Sequence, residues 1–168
     1  MWLRFTLFDV RVVAHYLGVL VSFFTIALAV PLVVAIVMQE WEPASRYLLA
    51  VGISLIVGSG LRLVCVQPGK LTHQQALAVT GLSWIVLAFV ASVLLALSGH
   101  YGSYLDSLME AVSGLTTTGV TLVIDLEHLS TADNMWRFVM HLIGGLGLIV
   151  VALSLGLLGK ATSGLYSS

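Results

Sequence analysis

Four apolar runs constrain this chain more than any other feature: residues 12–38, 46–66, 76–97 and 135–158 are each long enough to cross a membrane. A hydrocarbon core of about 30 Å takes roughly 20 helical residues, and backbone in lipid must satisfy its polar groups internally, so these runs read as transmembrane helices. Composition agrees. Residues are 59% hydrophobic and 9% charged, with a mean hydropathy of +1.06, against roughly 25% charged in a soluble domain. The fold class read from the sequence is an all-α integral membrane protein. A net charge of -1 offers no concentrated basic surface for nucleic acid. The single cysteine, Cys65, lies in an apolar run and reads as a buried, inert thiol.

The first run follows a piece bearing Arg4, Asp9 and Arg11. It is longer than the roughly 7–15-residue core of a signal peptide, so it reads as a retained helix, with Trp2, Phe5 and Phe8 lying partly in the interface. Pro31 falls inside this helix and is expected to kink it. Gln39 to Pro43 then reads as a polar turn with Trp41 at the membrane interface. In the second span Gly52, Gly58 and Gly60 would let a neighbour approach closely, and Arg62 reads as a snorkelling anchor rather than a gating charge. Gln67-Pro68-Gly69-Lys70 is a turn, and residues 1–70 thus form an N-terminal pair of helices.

Residues 71–168 hold a different arrangement. Thr72 is a plausible N-cap for a helix over about 73–98, closed by Ser98-Gly99-His100. Residues 103–113 place Leu105, Leu108, Met109 and Val112 at helical spacing, with Asp106 and Glu110 one turn apart. That helix is too short to span, so it is re-entrant or interfacial, and Gly114 is expected to end it. A polar connector over 122–134 leads to the last helix, about 135–159, with Trp136 and Arg137 at its start and Lys160 at its end.

Between the short helix and the connector lies Thr116-Thr117-Thr118-Gly119-Val120-Thr121. Three β-branched threonines lower helix propensity, and Gly119 opens backbone angles closed to other residues, so the run favours irregular, extended backbone. At membrane depth such backbone is tolerated only where protein buries it or where it lines a watery cavity. Rows of carbonyl oxygens are hard, uncharged ligands that can replace the hydration shell of an alkali ion. The run reads as a selectivity filter whose ligands are the carbonyls of Thr116, Thr117, Thr118, Gly119 and Val120. The short helix would aim the negative end of its dipole at the pore centre, which favours cations. The threonine hydroxyls either add a coordination layer or hydrogen-bond behind the filter.

Charge placement suggests a topology. With the N-terminus cytoplasmic, Arg4, Arg11, Arg62, Lys70 and Lys160 lie inside and only Arg46 and Arg137 outside, as the positive-inside rule requires. Glu40, Glu42, Asp106, Glu110, Asp125, Glu127 and Asp133 then face outward as an acidic mouth that would concentrate cations.

The chain resembles the Trk/Ktr/HKT superfamily of potassium transporters, the bacterial Trk type in particular. The resemblance rests on Ser103-Tyr104, Asp106, Glu110-Ala111, Ser113-Gly114, Thr116-Thr117-Thr118-Gly119 and Thr121, then Trp136-Arg137 and His141-x-Ile143-Gly144-Gly145-x-Gly147. The segment opening the third span, to Trp84, and the preceding pair of helices are also similar, so nearly the whole chain is covered. The resemblance implies a potassium uptake system in the cytoplasmic membrane, with four helix–pore loop–helix repeats around a pseudo-fourfold axis and Gly119 at the filter glycine. Asp106, Glu110, Ser113, Gly114 and Thr121 would support the filter, and potassium would be the one bound metal ion. It also implies a cytosolic regulatory partner with nucleotide-binding domains. This chain departs from the pattern in carrying one repeat, and features of the later repeats have no counterpart. Either the remaining repeats are supplied in cis to a longer polypeptide, the reading favoured, or identical subunits form a homotetramer.

Other readings stay beside this one. A non-conducting membrane scaffold or assembly subunit does not need backbone forced out of helix at depth. An intramembrane enzyme would need ionisable groups on facing helices, and the spans hold little beyond His141 and Arg62. Asp106 and Glu110 form a proton relay or cation site, or else orient the filter by hydrogen bonding. His141 reads as a packed polar residue, and His15, His73, His100 and His128 lack metal-ligand spacing. Gly144, Gly145 and Gly147 serve helix packing or a hinge, with packing favoured. No cofactor is expected.

Overall fold

The computed structural model describes residues 7–64 and 73–154. The readings made for Cys65, the 67–70 turn, Thr72, Lys160 and most of the N-terminal interfacial piece lie outside them. Among the described residues five helices follow one another: α1 (Leu7–Val37), α2 (Trp41–Leu63), α3 (His73–Ala96), α4 (Tyr104–Leu115) and α5 (Thr131–Ser154). No strand occurs among the described residues. The protein is all-α, and α1, α2 and α3 are long and apolar enough to cross a membrane. Large apolar side chains such as Phe23, Ile26, Ile53, Ile56 and Ile85 point outward from them, which suits a membrane-embedded protein and not an aqueous surface. α5, at 24 residues, also has the length to span; Asp133, Asn134, Arg137 and His141 lie in its first turns.

Local chemistry explains where the helices begin and end. Gln39 takes a φ of 58° and closes α1, with Glu40 N donating to Ala35 O at 2.8 Å and Gln39 N to Ile36 O at 3.2 Å. These two bonds make a Schellman cap. α2 then starts at once, at Trp41, instead of after the polar turn expected over 39–43. Proline is well tolerated in a first helical turn, where its missing N–H has no partner to lose, so Pro43 sits inside the helix. α1 continues past Pro31, which is fully buried. α5 starts at Thr131, earlier than expected, because Ser130 and Asp133 cap it reciprocally: Asp133 N donates to Ser130 Oγ at 3.0 Å and Ser130 Oγ to Asp133 Oδ2 at 2.7 Å.

α1 and α2 pair most extensively, α3 packs on α4, and α4 packs on α5, while α1 also touches α3 and α5. The α1–α2 approach depends on two glycines. A Cβ on Gly18 would lie 2.7 Å from Arg62 N and 2.8 Å from Gly58 O, and one on Gly58 would lie 2.9 Å from Ser22 Oγ. Gly52 and Gly60, read as close-approach sites, have nothing within 4 Å. They lie on open faces of α2.

One core serves both halves. Trp136 of α5 is fully buried and meets Phe24 of α1 edge-on at 5.3 Å and Tyr47 of α2 at 6.3 Å. It is a core anchor, whereas Trp41 is 71% exposed. The aromatic pairs add about 0.5–1.5 kcal/mol each beyond burial.

Candidate ion filter

The candidate filter begins as the cap of α4. Ser103 opens that helix, its hydroxyl accepting from Asp106 N at 3.3 Å and donating to Asp106 Oδ2 at 2.9 Å. Asp106 is thereby part of the N-terminal cap, at the opposite end of α4 from the threonine run. Tyr104 follows, its hydroxyl 2.9 Å from Ser92 Oγ of α3. The helix runs through Gly114 to Leu115, so Gly114 does not end it. Gly114 is packed against Met140, whose Cβ would lie 3.3 Å from an added methyl.

Thr116 and Thr117 turn the chain out of the helix. Thr118 N donates to Ser113 O at 2.9 Å and Thr117 N to Gly114 O at 3.1 Å, the bond pair of a Schellman cap, with Thr117 in its left-handed position at a φ of 57°. Glycine is usual there. A β-branched residue held in that region costs about 1–3 kcal/mol, so the surrounding structure must impose it. Thr117 Oγ1 donates to Thr116 O at 2.7 Å, Thr116 Oγ1 to Val112 O at 2.8 Å, and Thr116 Oγ1 lies 2.8 Å from Thr118 Oγ1. Gly119 then takes a φ of 80°. Ser113 acts through its carbonyl, since its buried hydroxyl has no partner among the described residues.

α5 receives this turn in a notch. A Cβ on Gly144 would overlap the carbonyl of Leu115, lying 2.7 Å from its carbon. Gly145 and Gly147 are looser: added methyls would sit 3.8 Å from Thr117 Cγ2 and 3.4 Å from Trp84 Cζ2. His141 faces the same region, its Nδ1 2.8 Å from Arg137 O. A carbonyl only accepts, so Nδ1 carries the proton.

The far end of the loop is held differently. Glu110, 3% exposed, accepts from Leu122 N at 2.7 Å, from Arg137 Nε at 2.7 Å and from Thr121 Oγ1 at 3.3 Å. Arg137 Nη2 donates to Thr121 Oγ1 at 2.8 Å. Glu110 and Thr121 therefore meet at one point, with Arg137 as a third member, to which the sequence reading assigned no role at the filter. Helical spacing and the loop connection gave no signal for it.

Of the seven carboxylates of the expected acidic mouth, Glu110 and Asp133 are charge-balanced by arginines. Glu110 is paired with Arg137, and Asp133 with Arg46 at 2.9 Å. Asp106 is in its cap. Glu40 accepts from Thr131 N at 2.8 Å and Ala132 N at 3.0 Å, capping α5. Asp125 bonds His128 Nδ1 at 2.8 Å, and that bond holds its carboxyl below the ordinary value. Only Glu42 and Glu127 remain as exposed carboxylates with no pairing described here. Among the described residues no three His, Cys, Asp or Glu side chains converge as a metal site.

Comparison with known proteins gives these features a family context. The family model described as TrkH, cation transport protein, matches residues 43–168. The chain is similar to the Trk system potassium uptake protein TrkG of Escherichia coli, 32% identical over 162 residues, covering 95% of this chain and 33% of that protein. It is also similar to an uncharacterized cation transporter of Methanocaldococcus jannaschii, 31% identical over 166 residues, covering 98% and 35%. The Trk system potassium uptake protein TrkI of Halomonas elongata is 34% identical over 140 residues, covering 83% and 28%. The chain thus spans about a third of the length of these relatives. No solved structure matched.

Proposed function

The chain belongs to the TrkH family of cation transport proteins, and from that premise we propose that it contributes one helix–pore loop–helix repeat to a potassium uptake pore. Residues 1–70 supply an accessory pair of helices and residues 71–168 the repeat, with the filter at Thr116, Thr117, Thr118, Gly119 and Val120. The observation that carries this reading is the exit of the backbone from helix immediately after α4, with Thr117 and Gly119 at positive φ and Thr116 at a φ of -86° between helix and loop. Alternating handedness turns successive carbonyls toward a common side, where they can replace water around an alkali ion.

Every other part of the repeat serves that loop. Ser113 and Gly114 supply the carbonyls that close its first turn, Gly144 admits Leu115, and Glu110 and Thr121 hold its far end. Asp106 secures the start of α4, and Gly145 and Gly147 line the face of α5 beside Thr117 and Trp84. The remaining repeats come in cis or from identical subunits, and a nucleotide-binding regulatory partner acts from the cytosol. The N-terminus is cytoplasmic and the protein lies in the cytoplasmic membrane, where the potential favours cation entry by about 2.3 kcal/mol per charge per 100 mV.

Rubidium and potassium flux into proteoliposomes holding the intact protein tests this. Uptake that follows the imposed potential and falls when Gly119 is replaced by alanine is expected. Uptake indifferent to Gly119→Ala, or absent from the well-folded protein, would remove the filter from Thr116–Val120.

A further inference from the structure

The loop between Leu115 and Leu122 is anchored at two ends and nowhere between. At its start, Thr116, Thr117 and Thr118 donate their N–H groups to α4 carbonyls. At its end, the N–H of Leu122 donates to the Glu110 carboxylate. No main-chain hydrogen bond joins Gly119, Val120 or Thr121 to other backbone among the described residues. The placement of those three peptide groups therefore depends on the two anchors.

The second anchor is a closed triangle. Arg137 uses Nε on Glu110 Oε1 at 2.7 Å and Nη2 on Thr121 Oγ1 at 2.8 Å, while the Thr121 hydroxyl reaches back to Glu110 Oε1 at 3.3 Å. Glu110 Oε2 takes Leu122 N at 2.7 Å. Side chains of Glu110 and Arg137 are 3% and 16% exposed, so little water competes. Both carboxylate oxygens accept hydrogen bonds and the charge is balanced by Arg137, so Glu110 is not a free anion. Two donors at a fixed separation are a property of a guanidinium; a lysine ammonium is a single point charge on a flexible stem.

Building on the filter reading above, we infer that Arg137 is a positioning residue which, with Glu110, fixes Thr121 and Leu122 and so sets the carbonyl spacing on which cation selectivity depends. The bracket works through directed hydrogen bonds, not through the sign of the charges. Exchanging the two residues keeps an ion pair yet leaves Leu122 N–H without an acceptor.

The test compares the intact protein with Arg137→Lys and with the double exchange Glu110→Arg, Arg137→Glu, using backbone hydrogen exchange together with potassium and sodium flux in proteoliposomes. In both variants exchange at Leu122 should quicken about tenfold or more, the factor for losing one charge-assisted hydrogen bond. Amides in α4 and α5 should keep their protection, and the potassium-to-sodium ratio should fall. Unchanged exchange at Leu122 in Arg137→Lys, or its restoration by the double exchange, would overturn the bracket and leave an ordinary ion pair. Should α5 lose protection, Thr121→Val takes their place, since it removes the bridging hydroxyl and spares the pair; unchanged Leu122 exchange there overturns the bracket too. A wild-type protein that moves no cation would sink the filter reading, while the exchange data would still judge the bracket.

Discussion

Two buried arginine–carboxylate pairs leave the first turns of α5 in different directions. Asp133 turns to Arg46 of α2, with side chains 1% and 13% exposed, and Arg137, one turn further on, turns to Glu110 of α4. An aspartate and an arginine so spaced would ordinarily pair with each other along the helix. Here each takes a partner from elsewhere. Asp133 also accepts from Tyr47 at 2.8 Å and Ser130 at 2.7 Å, and Arg46 reaches Leu94 O at 3.4 Å. Its cluster joins α2, α3 and α5. The Glu110 cluster joins α4, the loop that follows it and α5. Similar chemistry thus does two jobs: one pair holds the helices together, the other holds a loop in place.

Removing the acid from each pair separates these jobs. Asp133→Ala strands Arg46 and the Tyr47 hydroxyl in the core and removes the acceptor of the Ser130 hydroxyl, so global stability should fall by about 3–5 kcal/mol. Tryptophan-monitored unfolding in detergent would read this as a lowered midpoint. Glu110→Ala also strands an arginine, but the exposed loop over 116–124 can shift to rehydrate it. Its unfolding midpoint should move much less, with the loss appearing in the loop. Equal midpoints for the two variants would mean that the clusters are equivalent and that the contrast is false.

The contrast marks where sequence reading works. Apolar length identified α1, α2 and α3, because solvent choice is a property of each run by itself. The short α4 and the threonine run were legible for the same reason, since eleven or so residues cannot span and β-branching resists helix. Partners across the fold were not. Nothing near Arg46 or Arg137 names Asp133 or Glu110, which lie 87 and 27 residues away. Treating carboxylates one at a time hid the arginine partners that tertiary packing gives Glu110 and Asp133. Nor does the sequence around Trp136, next to a polar connector, show that α1 and α2 cover it.

Glycines sharpen the comparison at the level of backbone contact. Gly144 receives Leu115 and Gly18 receives Gly58 and Arg62, in each case against main chain that cannot rotate aside. Gly144→Ala and Gly18→Ala should each cost about 1–3 kcal/mol, the range for overpacking. Gly145→Ala and Gly52→Ala meet only ordinary contact or open space and should be near neutral. Flux would divide the costly pair further, with Gly144→Ala disturbing cation movement and Gly18→Ala acting through stability alone. A neutral Gly144→Ala would mean that α4 does not sit in α5 as described.

Glu40 extends the helix-joining cluster to the cap of α5. Its carboxylate takes two N–H groups at the positive end of the helix dipole, a task that does not involve Arg46. Glu40→Ala should cost about 1 kcal/mol, as lost caps do, and Glu40→Gln should recover part of it by keeping one acceptor. Both effects should add to that of an Arg46 substitution. Strong non-additivity in a double-mutant cycle would instead merge cap and ion pair into one unit.

The smallest effect tests whether any carboxylate on the connector behaves independently of both clusters. Asp125 is exposed and its carboxyl is held below the ordinary value chiefly by the hydrogen bond to His128. A depressed folded pKa contributes order that is present above the ordinary carboxylate value, about 3.9, and is lost as pH falls through the lowered one. Acidification through that window should therefore loosen residues near Asp125 and His128. Site-resolved exchange during an acid titration would show that step, and Asp125→Asn should abolish it. A step that survives Asp125→Asn would show instead that the connector loosens through a group other than this carboxylate.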